Sequence, residues 1–271
     1  MSEPCVYFVA TPIGNLKDIT LRALDVLRAA DLIFCEDTRH SLKLLSAYDI
    51  KKPLFSCHKF NEREAAEKIA AAAKEGKRVA VISDAGMPVI SDPGNTVCKI
   101  LKDGGVEYTV IPGANAALSA LVLSALPADR FAFVGFLPDK AGERKSVLEK
   151  YKNLDMTLIF HIAPQDIDRH ISSIYQCFGE RKACAVREIT KLHEEAVAFN
   201  LSEGLSGEKR GEYVVIVEGA EKTENPLNAL SEKEHILHYI AGGLDKKDAV
   251  KQAAKDRGVP KSEMYKFSLE I

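Results

Sequence analysis

Five consecutive side chains able to hold or move a proton, Glu36-Asp37-Thr38-Arg39-His40, close a short apolar run from Asp31 to Cys35. Two carboxylates beside an arginine can orient a hydroxyl and take its proton while the guanidinium grips a phosphate. The plainer alternative is a helix cap at Asp37 or Thr38 with a solvated ion pair. A second set, Cys57-His58-Lys59-Phe60-Asn61-Glu62-Arg63, follows residues 54–56. A lone histidine is more often a surface or capping residue than a catalyst. The strand ends of a parallel sheet converge on one rim, however, which puts His58 on the same side as Glu36 and Asp37. The third set, Arg187-Glu188-Ile189-Thr190-Lys191-Leu192-His193-Glu194-Glu195, is the densest polar run of the second half, and a charge run is usually a solvated face.

Loops of small residues accompany these groups. Val81 to Gly94 runs from an apolar stretch into Ser83-Asp84-Ala85-Gly86, then Pro88 and Ser91-Asp92-Pro93-Gly94. Gly86 and Gly94 let backbone approach a ligand closely. Val110-Ile111-Pro112-Gly113-Ala114-Asn115-Ala116-Ala117 repeats the plan of apolar run, Pro-Gly break and small-residue helix start, with Asn115 as the N-cap. Two such loops can pinch one small molecule. Thr11-Pro12-Ile13-Gly14-Asn15-Leu16 follows the first apolar run, where a dinucleotide fold carries G-x-G-x-x-G. Only Gly14 is present, so the tight pyrophosphate turn is missing and NAD binding is disfavoured.

The elements that must position these loops read as α/β. Strand-like runs at 5–10, 31–35, 54–56, 78–82 and 106–111 alternate with helical stretches at 19–30, 61–75, 95–103 and 115–126, the rhythm of parallel βαβ units. The 61–75 helix stops at Gly76. After Leu126-Pro127 a second set begins, with strands near 131–136, 156–161, 182–187 and 213–217. Residues 192–205 look like paired strands rather than a helix, so a mixed sheet is expected. The domains expected are 1–126 and 127–219, both α/β, followed by a linker and small helical appendix over 220–271. In the appendix Ser231 with Glu234 forms a capping box, Asp245 caps a helix running to Arg257, and Gly258-Val259-Pro260 turns the chain into a last short segment.

Composition narrows the class. Hydrophobic residues make up 46% of the 271 and charged residues 28%, a globular balance. No run approaches the ~18–20 apolar residues of a membrane span, and no basic, cleavable leader is visible, so a soluble, cytoplasmic protein is expected. Cys5, Cys35, Cys57, Cys98, Cys177 and Cys184 include no C-x-x-C pair and read as reduced core residues. No metal-ligand cluster is visible and no metal is expected. With 37 basic against 39 acidic residues the chain is near neutral, so any contact with nucleic acid must be local. Lys246, Lys247, Lys251, Lys255, Arg257, Lys261 and Lys266 could give the appendix a basic face, diluted by seven acidic residues from Glu232 to Glu270.

Taken in order, Thr11-Pro12-Ile13-Gly14-Asn15-Leu16 with Asp18-Ile19-Thr20, Glu36-Asp37-Thr38-Arg39, Ser83-Asp84-Ala85-Gly86 with Pro88, Asp92-Pro93-Gly94, Pro112-Gly113 and Arg187-Glu188-Ile189-Thr190-Lys191 resemble the ribosomal RNA small subunit methyltransferase I family. The resemblance covers nearly the whole chain. It implies two α/β domains of the tetrapyrrole methylase type with S-adenosylmethionine in the cleft between them, a homodimer, and 2′-O-methylation of a decoding-centre cytidine in 16S ribosomal RNA. The substrate would be the RNA or the assembled small subunit. Carried over by position, Ile13, Gly14, Ser83, Asp84, Ala85, Gly86, Pro88, Gly113, Asn115, Ala116 and Ile162 would surround the cofactor.

Three departures from the family pattern stand out. Met87 takes the place of the usual threonine, Ala114-Asn115 replaces a more usual pairing, and His161-Ile162-Ala163-Pro164-Gln165-Asp166 stands where relatives commonly read Tyr-Glu-Ser-Pro-His-Arg, losing an acid and a base. For methyl transfer to a hydroxyl, Glu36, Asp37, Glu188 and Lys191 are the candidate proton acceptors. Arg39, His58 and Arg187 are candidates for holding RNA, the arginines because they stay charged and offer a fixed fork. Two alternatives differ in what they require. A methylase of a tetrapyrrole or other small molecule needs a closed pocket for a flat acidic substrate and no tail after residue 220, whereas a non-catalytic ribosome-binding protein would not bind S-adenosylmethionine.

Overall fold

The computed structural model describes residues 5–207, 209–221, 226–269 and 271. Lys222 to Asn225, within the expected linker, and Glu270, one of the acidic residues counted above, lie outside the described residues. By contacts the chain forms two compact units, Met1–Ala220 and Glu221–Ile271.

The larger unit contains two five-stranded sheets. The first is built from β1 (Val6–Val9), β2 (Leu32–Cys35), β3 (Leu54–Ser56), β4 (Val79–Ile82) and β5 (Tyr108–Ile111), in the order β3-β2-β4-β1-β5 and parallel throughout. All four residues of β4 are buried, as expected for a parallel strand covered on both faces. Helices α1 (Leu21–Ala29), α2 (Thr38–Ala47), α3 (Glu62–Lys74) and α4 (Asn95–Asp103) make the crossovers. Parallel pairing sends every strand's C-terminal end to one edge, so the loops after β1, β2, β3 and β4 meet there.

Helix α5 (Ala116–Ser124) precedes residue 127 in the chain but packs on the second sheet. Its Ala117, Ala120 and Leu121 join Ile159, Cys184, Val186, Ile189, Val214 and Ile216 in one core. That sheet contains β6 (Phe131–Phe136), β7 (Thr157–Ile162), β8 (Lys182–Arg187), β9 (Glu195–Asn200) and β10 (Tyr213–Val217), in the order β6-β7-β10-β8-β9. Only the β6/β7 pair is parallel, so the sheet is mixed. Within residues 192–205, β9 pairs antiparallel with β8. It is an edge strand whose Val197 and Phe199 turn inward and whose other side chains are exposed. Helices α6 (Ala141–Leu148) and α7 (Ile167–Phe178) complete this half.

The smaller unit holds α8 (Glu232–Ala241), α9 (Lys246–Arg257) and α10 (Lys261–Ser268) around Ile236, Ala249, Val250, Ala253, Ala254 and Met264. The Ser231/Glu234 capping box forms, Asp245 accepts from the Asp248 N–H at 2.8 Å, and α9 stops at Gly258, which is left-handed at φ 65°. Among the described residues no helix is long and apolar enough to cross a membrane. All six cysteines are unbridged, and burial pushes up the thiols of Cys35, Cys98, Cys177 and Cys184 and that of Cys57 to about 11. Those five therefore stay protonated at neutral pH.

Candidate functional site: the cleft between the two sheets

The loops after β1 and β4 are tied together. Thr11 and Gly86 exchange backbone hydrogen bonds of 2.9 and 3.1 Å, and the buried Thr11 hydroxyl also donates to the Ser83 carbonyl at 3.2 Å. Gly86 sits at φ +78°, and a Cβ there would meet Ile13 Cγ2 at 3.1 Å. The tie turns Ile13-Gly14 towards the second sheet. A Cβ on Gly14 would lie 2.8 Å from Lys191 Cγ, 2.9 Å from Thr190 Oγ1 and 3.0 Å from the Ile189 carbonyl. The loop after β1 therefore rests directly on the loop after β8, and only glycine fits the contact.

Along the first sheet's rim lies an acidic group. Asp84 Oδ1 accepts from the Asp37 N–H at 3.1 Å. The Asp37 carboxylate caps α2 through the Arg39 N–H at 2.8 Å and pairs with the Arg39 guanidinium at 3.0 Å, which holds its pKa below the usual range. Burial, reinforced by Asp84, pushes Glu36 up, while nearby His58 pulls it down. His58 Nδ1 accepts from the Phe60 N–H at 3.3 Å. Asp92 is pushed up to about 6 by burial and by the charges of Glu36, Asp84 and Glu212, against a hydrogen bond from Ser83. The Asp92 loop is pinned to α3, because Glu62 Oε1 accepts from the N–H groups of Gly94 and Thr96 at 2.8 and 2.7 Å.

Across the cleft, Glu188 and Lys191 form an ion pair at 3.0 Å, and the Thr190 N–H donates to Glu194 at 2.7 Å. Glu188 and Thr190 have φ of 50° and 69°, and Val89 and Ser91 in the β4–α4 loop have 77° and 67°. Left-handed backbone at non-glycine residues is strained and gathers where function requires it. Beside the ion pair is a cavity of about 60 Å³ walled by Ile13, Ala116, Ile162 and Val214, with Glu188, Lys191, Glu212 and His161 on its polar side. The His161 ring stands edge-on to Phe133 and Phe136 at 5.3 Å each, and burial lowers its pKa. His161 Nε2 and Thr190 Oγ1 are buried polar atoms without a protein partner.

Of the residues expected from sequence, Ile13, Gly14, Ala116, Ile162, Glu188 and Lys191 meet at this cavity. Ser83, Asp84 and Gly86 lie in the tied loops, while Pro88 is buried in the same loop and Ala85 is exposed. Gly113 abuts Ala10, and Asn115 caps α5 through the Leu118 N–H at 3.0 Å. Glu36, Asp37, Arg39 and His58 follow the rim. Arg187 points elsewhere. It pairs with Glu195 at 2.7 Å and lines a different cavity with Ala185 and Val197. Asp92, His161, Glu212 and Glu62 carry no expected role, and their places depend on partners distant in sequence.

Two features lie outside this cleft. A cavity of about 410 Å³ opens beside α6 and α7 and holds none of the expected residues. Asp139, Asp166 and His170 bring one ligand atom each within 4.8 Å of one another, but the Arg169 guanidinium bridges the two carboxylates at 3.1 and 2.6 Å.

Residues 5–204 match the model of the Tetrapyrrole (Corrin/Porphyrin) Methylases. Proteins named ribosomal RNA small subunit methyltransferase I are similar over almost the full length. The one from Bacillus subtilis is 42% identical over 96% of this chain and 92% of its own, and the one from Escherichia coli O157:H7 is 38% identical over 99% and 96%. Among solved structures, uroporphyrin-III C-methyl transferase from Thermus thermophilus complexed with S-adenyl homocysteine superposes with a TM-score of 0.55 at 20% identity, over 80% of this chain and 97% of that one. A likeness at that identity speaks for the fold. The near-complete match at around 40% identity goes further, and the chain belongs to the ribosomal RNA small subunit methyltransferase I family, methyltransferases built on the tetrapyrrole methylase fold.

Proposed function

We propose that the chain uses S-adenosylmethionine to methylate the ribose 2′-hydroxyl of a decoding-centre cytidine in small-subunit ribosomal RNA, as a cytoplasmic homodimer. The observation that carries this reading is the seating of Gly14 on Lys191, which sets a proton-handling pair from one sheet against the small-residue loops of the other. The residues at the cleft fit the cofactor. Ile13, Ala116, Ile162 and Val214 suit a purine face, the free polar atoms of His161 and Thr190 suit its nitrogens and hydroxyls, and Asp84, Asp92 and Glu212 suit its positive charge. Gly14, Ser83, Ala85, Gly86, Pro88, Gly113 and Asn115 supply the surrounding backbone. Ligand pockets usually exceed ~300 Å³, so the loops at Ile13 and Lys191 must part for the cofactor to enter.

When bound, S-adenosylmethionine supplies a methyl group on a positively charged sulfur. Holding the ribose oxygen in line with that methyl accounts for most of the acceleration. As the oxygen–carbon bond forms, its proton must leave, and the Glu188–Lys191 pair offers an acceptor at the cavity's edge. Glu36, whose pKa burial raises above the usual carboxylate range, is the second candidate. Asp37 acts by position, because its carboxylate is committed to α2 and Arg39 while its N–H holds Asp84. Arg39 and His58, on the rim, hold RNA phosphates, whereas Arg187 is turned away and paired with Glu195.

The test is methyl transfer from labelled S-adenosylmethionine to purified small subunits, naked ribosomal RNA and a tetrapyrrole precursor, with digestion and mass spectrometry to locate the label. A 2′-O-methylcytidine from the decoding region is the expected product. Label on the tetrapyrrole alone would overturn the reading.

A further inference from the structure

Helix α9 presents a row of three unneutralised lysines, and we propose that Lys247, Lys251 and Lys255 form a phosphate-binding ridge for RNA on the C-terminal unit. The partner class rests on the RNA reading above; the ridge itself rests on the helix. Ala249, Val250, Ala253 and Ala254 fix the inward face of α9. The three lysines recur at four-residue intervals on its outer side, and all are exposed. At 1.5 Å per residue their Cα atoms climb the helix in steps of about 6 Å while turning about 40° per step, an inclined row along one side.

Like charges four residues apart weaken a helix. Elsewhere the chain avoids this by pairing: on α3, Lys68 meets Glu64 at 2.7 Å and Arg63 meets Glu67 at 3.5 Å. On α9 one acid, Asp248, stands exposed three residues before Lys251 and forms no ion pair among the described residues, and the other nearby acids are engaged otherwise. Asp245 caps the helix, and Asp256 is held by Gln252, Tyr239 and His235. None of the three lysines has a carboxylate partner among the described residues. Lys246, Lys261 and Lys266 are exposed on the same unit, but nine basic residues over 221–271 are matched by nine acidic ones, so the row on α9 is a local feature. The chain as a whole is slightly negative, at −2, so attraction to a polyanion has to come from a local feature such as this. The unit lies beyond residue 204, where the match to the methylase model ends, so a role in holding substrate rather than in methyl transfer suits its place in the chain.

The test uses the full-length protein with Lys247→Gln, Lys251→Gln and Lys255→Gln combined, and a charge-preserving version with arginine at all three positions. Binding to a mixed-sequence RNA hairpin is followed by fluorescence anisotropy across a salt series, with thermal unfolding as the check on folding. Each phosphate contact contributes about 0.7 to 0.9 to the slope of log K against log salt, so the glutamine protein should bind about tenfold or more weakly near 0.1 M salt, with a slope shallower by about 2. The arginine protein should match the parent, and kcat on saturating small subunits should stay unchanged. An unchanged affinity and slope in the glutamine protein would overturn the ridge. So would tighter, lysine-dependent binding to phosphatidylserine vesicles than to RNA. Lysine-dependent RNA binding by a protein that transfers no methyl group would support the ridge and sink the methyltransferase reading instead.

Discussion

Asp92 shows how the fold sets the charge of a group at the rim of the cleft. Asp92 is pushed up to about 6, so its folded pKa lies above its unfolded one. The folded state then favours the protonated acid: the stability it gains is complete below about pH 4 and is lost as pH rises towards 6. Asp92→Asn should therefore raise stability at pH 7.5 by an order of 1 kcal/mol, after allowance for solvent on its partly exposed side, and should give no gain at pH 4. Thermal unfolding of both proteins at the two pH values checks this. Lys191→Ala should lower kcat about 100-fold or more, the range for a disabled proton-accepting pair, while the Kd for S-adenosylmethionine measured by calorimetry changes little. A large loss of affinity would place Lys191 in the cofactor pocket instead.

At the scale of elements, the strands of both sheets and helices α1, α3, α4 and α5 were legible, because apolar runs of three to six residues alternate with longer helical stretches. Helices α2, α6 and α7 were not. Residues 38–47 begin with a polar run that reads as chemistry, and only Ser41, Leu44 and Leu45 are buried there. In α7 the inward residues Ile167, His170, Ile171 and Ile174 do follow helical spacing, but β-branched isoleucines suit a strand equally well. Asp37 takes the plainer of its two readings, since it caps α2, and its N–H also holds Asp84. The loops of the cleft were legible from their glycines and prolines. The seating of Gly14 on Lys191 was not, since nothing local joins residues so far apart in the chain. Two expected outcomes belong to this scale. Gly14→Ala should push the Ile189-Lys191 backbone away and weaken S-adenosylmethionine binding, measured by calorimetry, at an overpacking cost of about 1–3 kcal/mol. Glu62→Ala removes the acceptor for two N–H groups at the start of α4 and should lower stability in denaturant by about 1–2 kcal/mol.

For the whole molecule, the two compact units respond to pH for different reasons. In the smaller one His235 is fully buried, with Nε2 3.3 Å from Asp256 and Nδ1 accepting from Arg257 at 3.2 Å. Burial lowers its pKa, assisted by Arg257 and His238 and opposed by Asp256. A base whose folded pKa is depressed contributes stability that is complete above its unfolded value near 6.5 and falls away below it. Unfolding of the C-terminal unit should therefore come earlier as pH drops from 7 to 5. His235→Gln should flatten that dependence, with helix loss followed by circular dichroism.

The paired backbone bonds between Thr11 and Gly86 also determine which side of the cleft can yield. They work as a latch that makes the loops after β1 and β4 a single body, whereas the loop from Glu188 to Lys191 is closed only by its own local turn, Lys191 N–H to the Glu188 carbonyl at 2.9 Å, and by side chains, and carries two residues in strained conformations. Entry of a ligand should then swing the second loop away from a stationary first one. In hydrogen exchange the amides of Thr11 and Gly86 would be slow with or without ligand, and those of Thr190 and Lys191, held only by local bonds, would slow further once the cleft is filled.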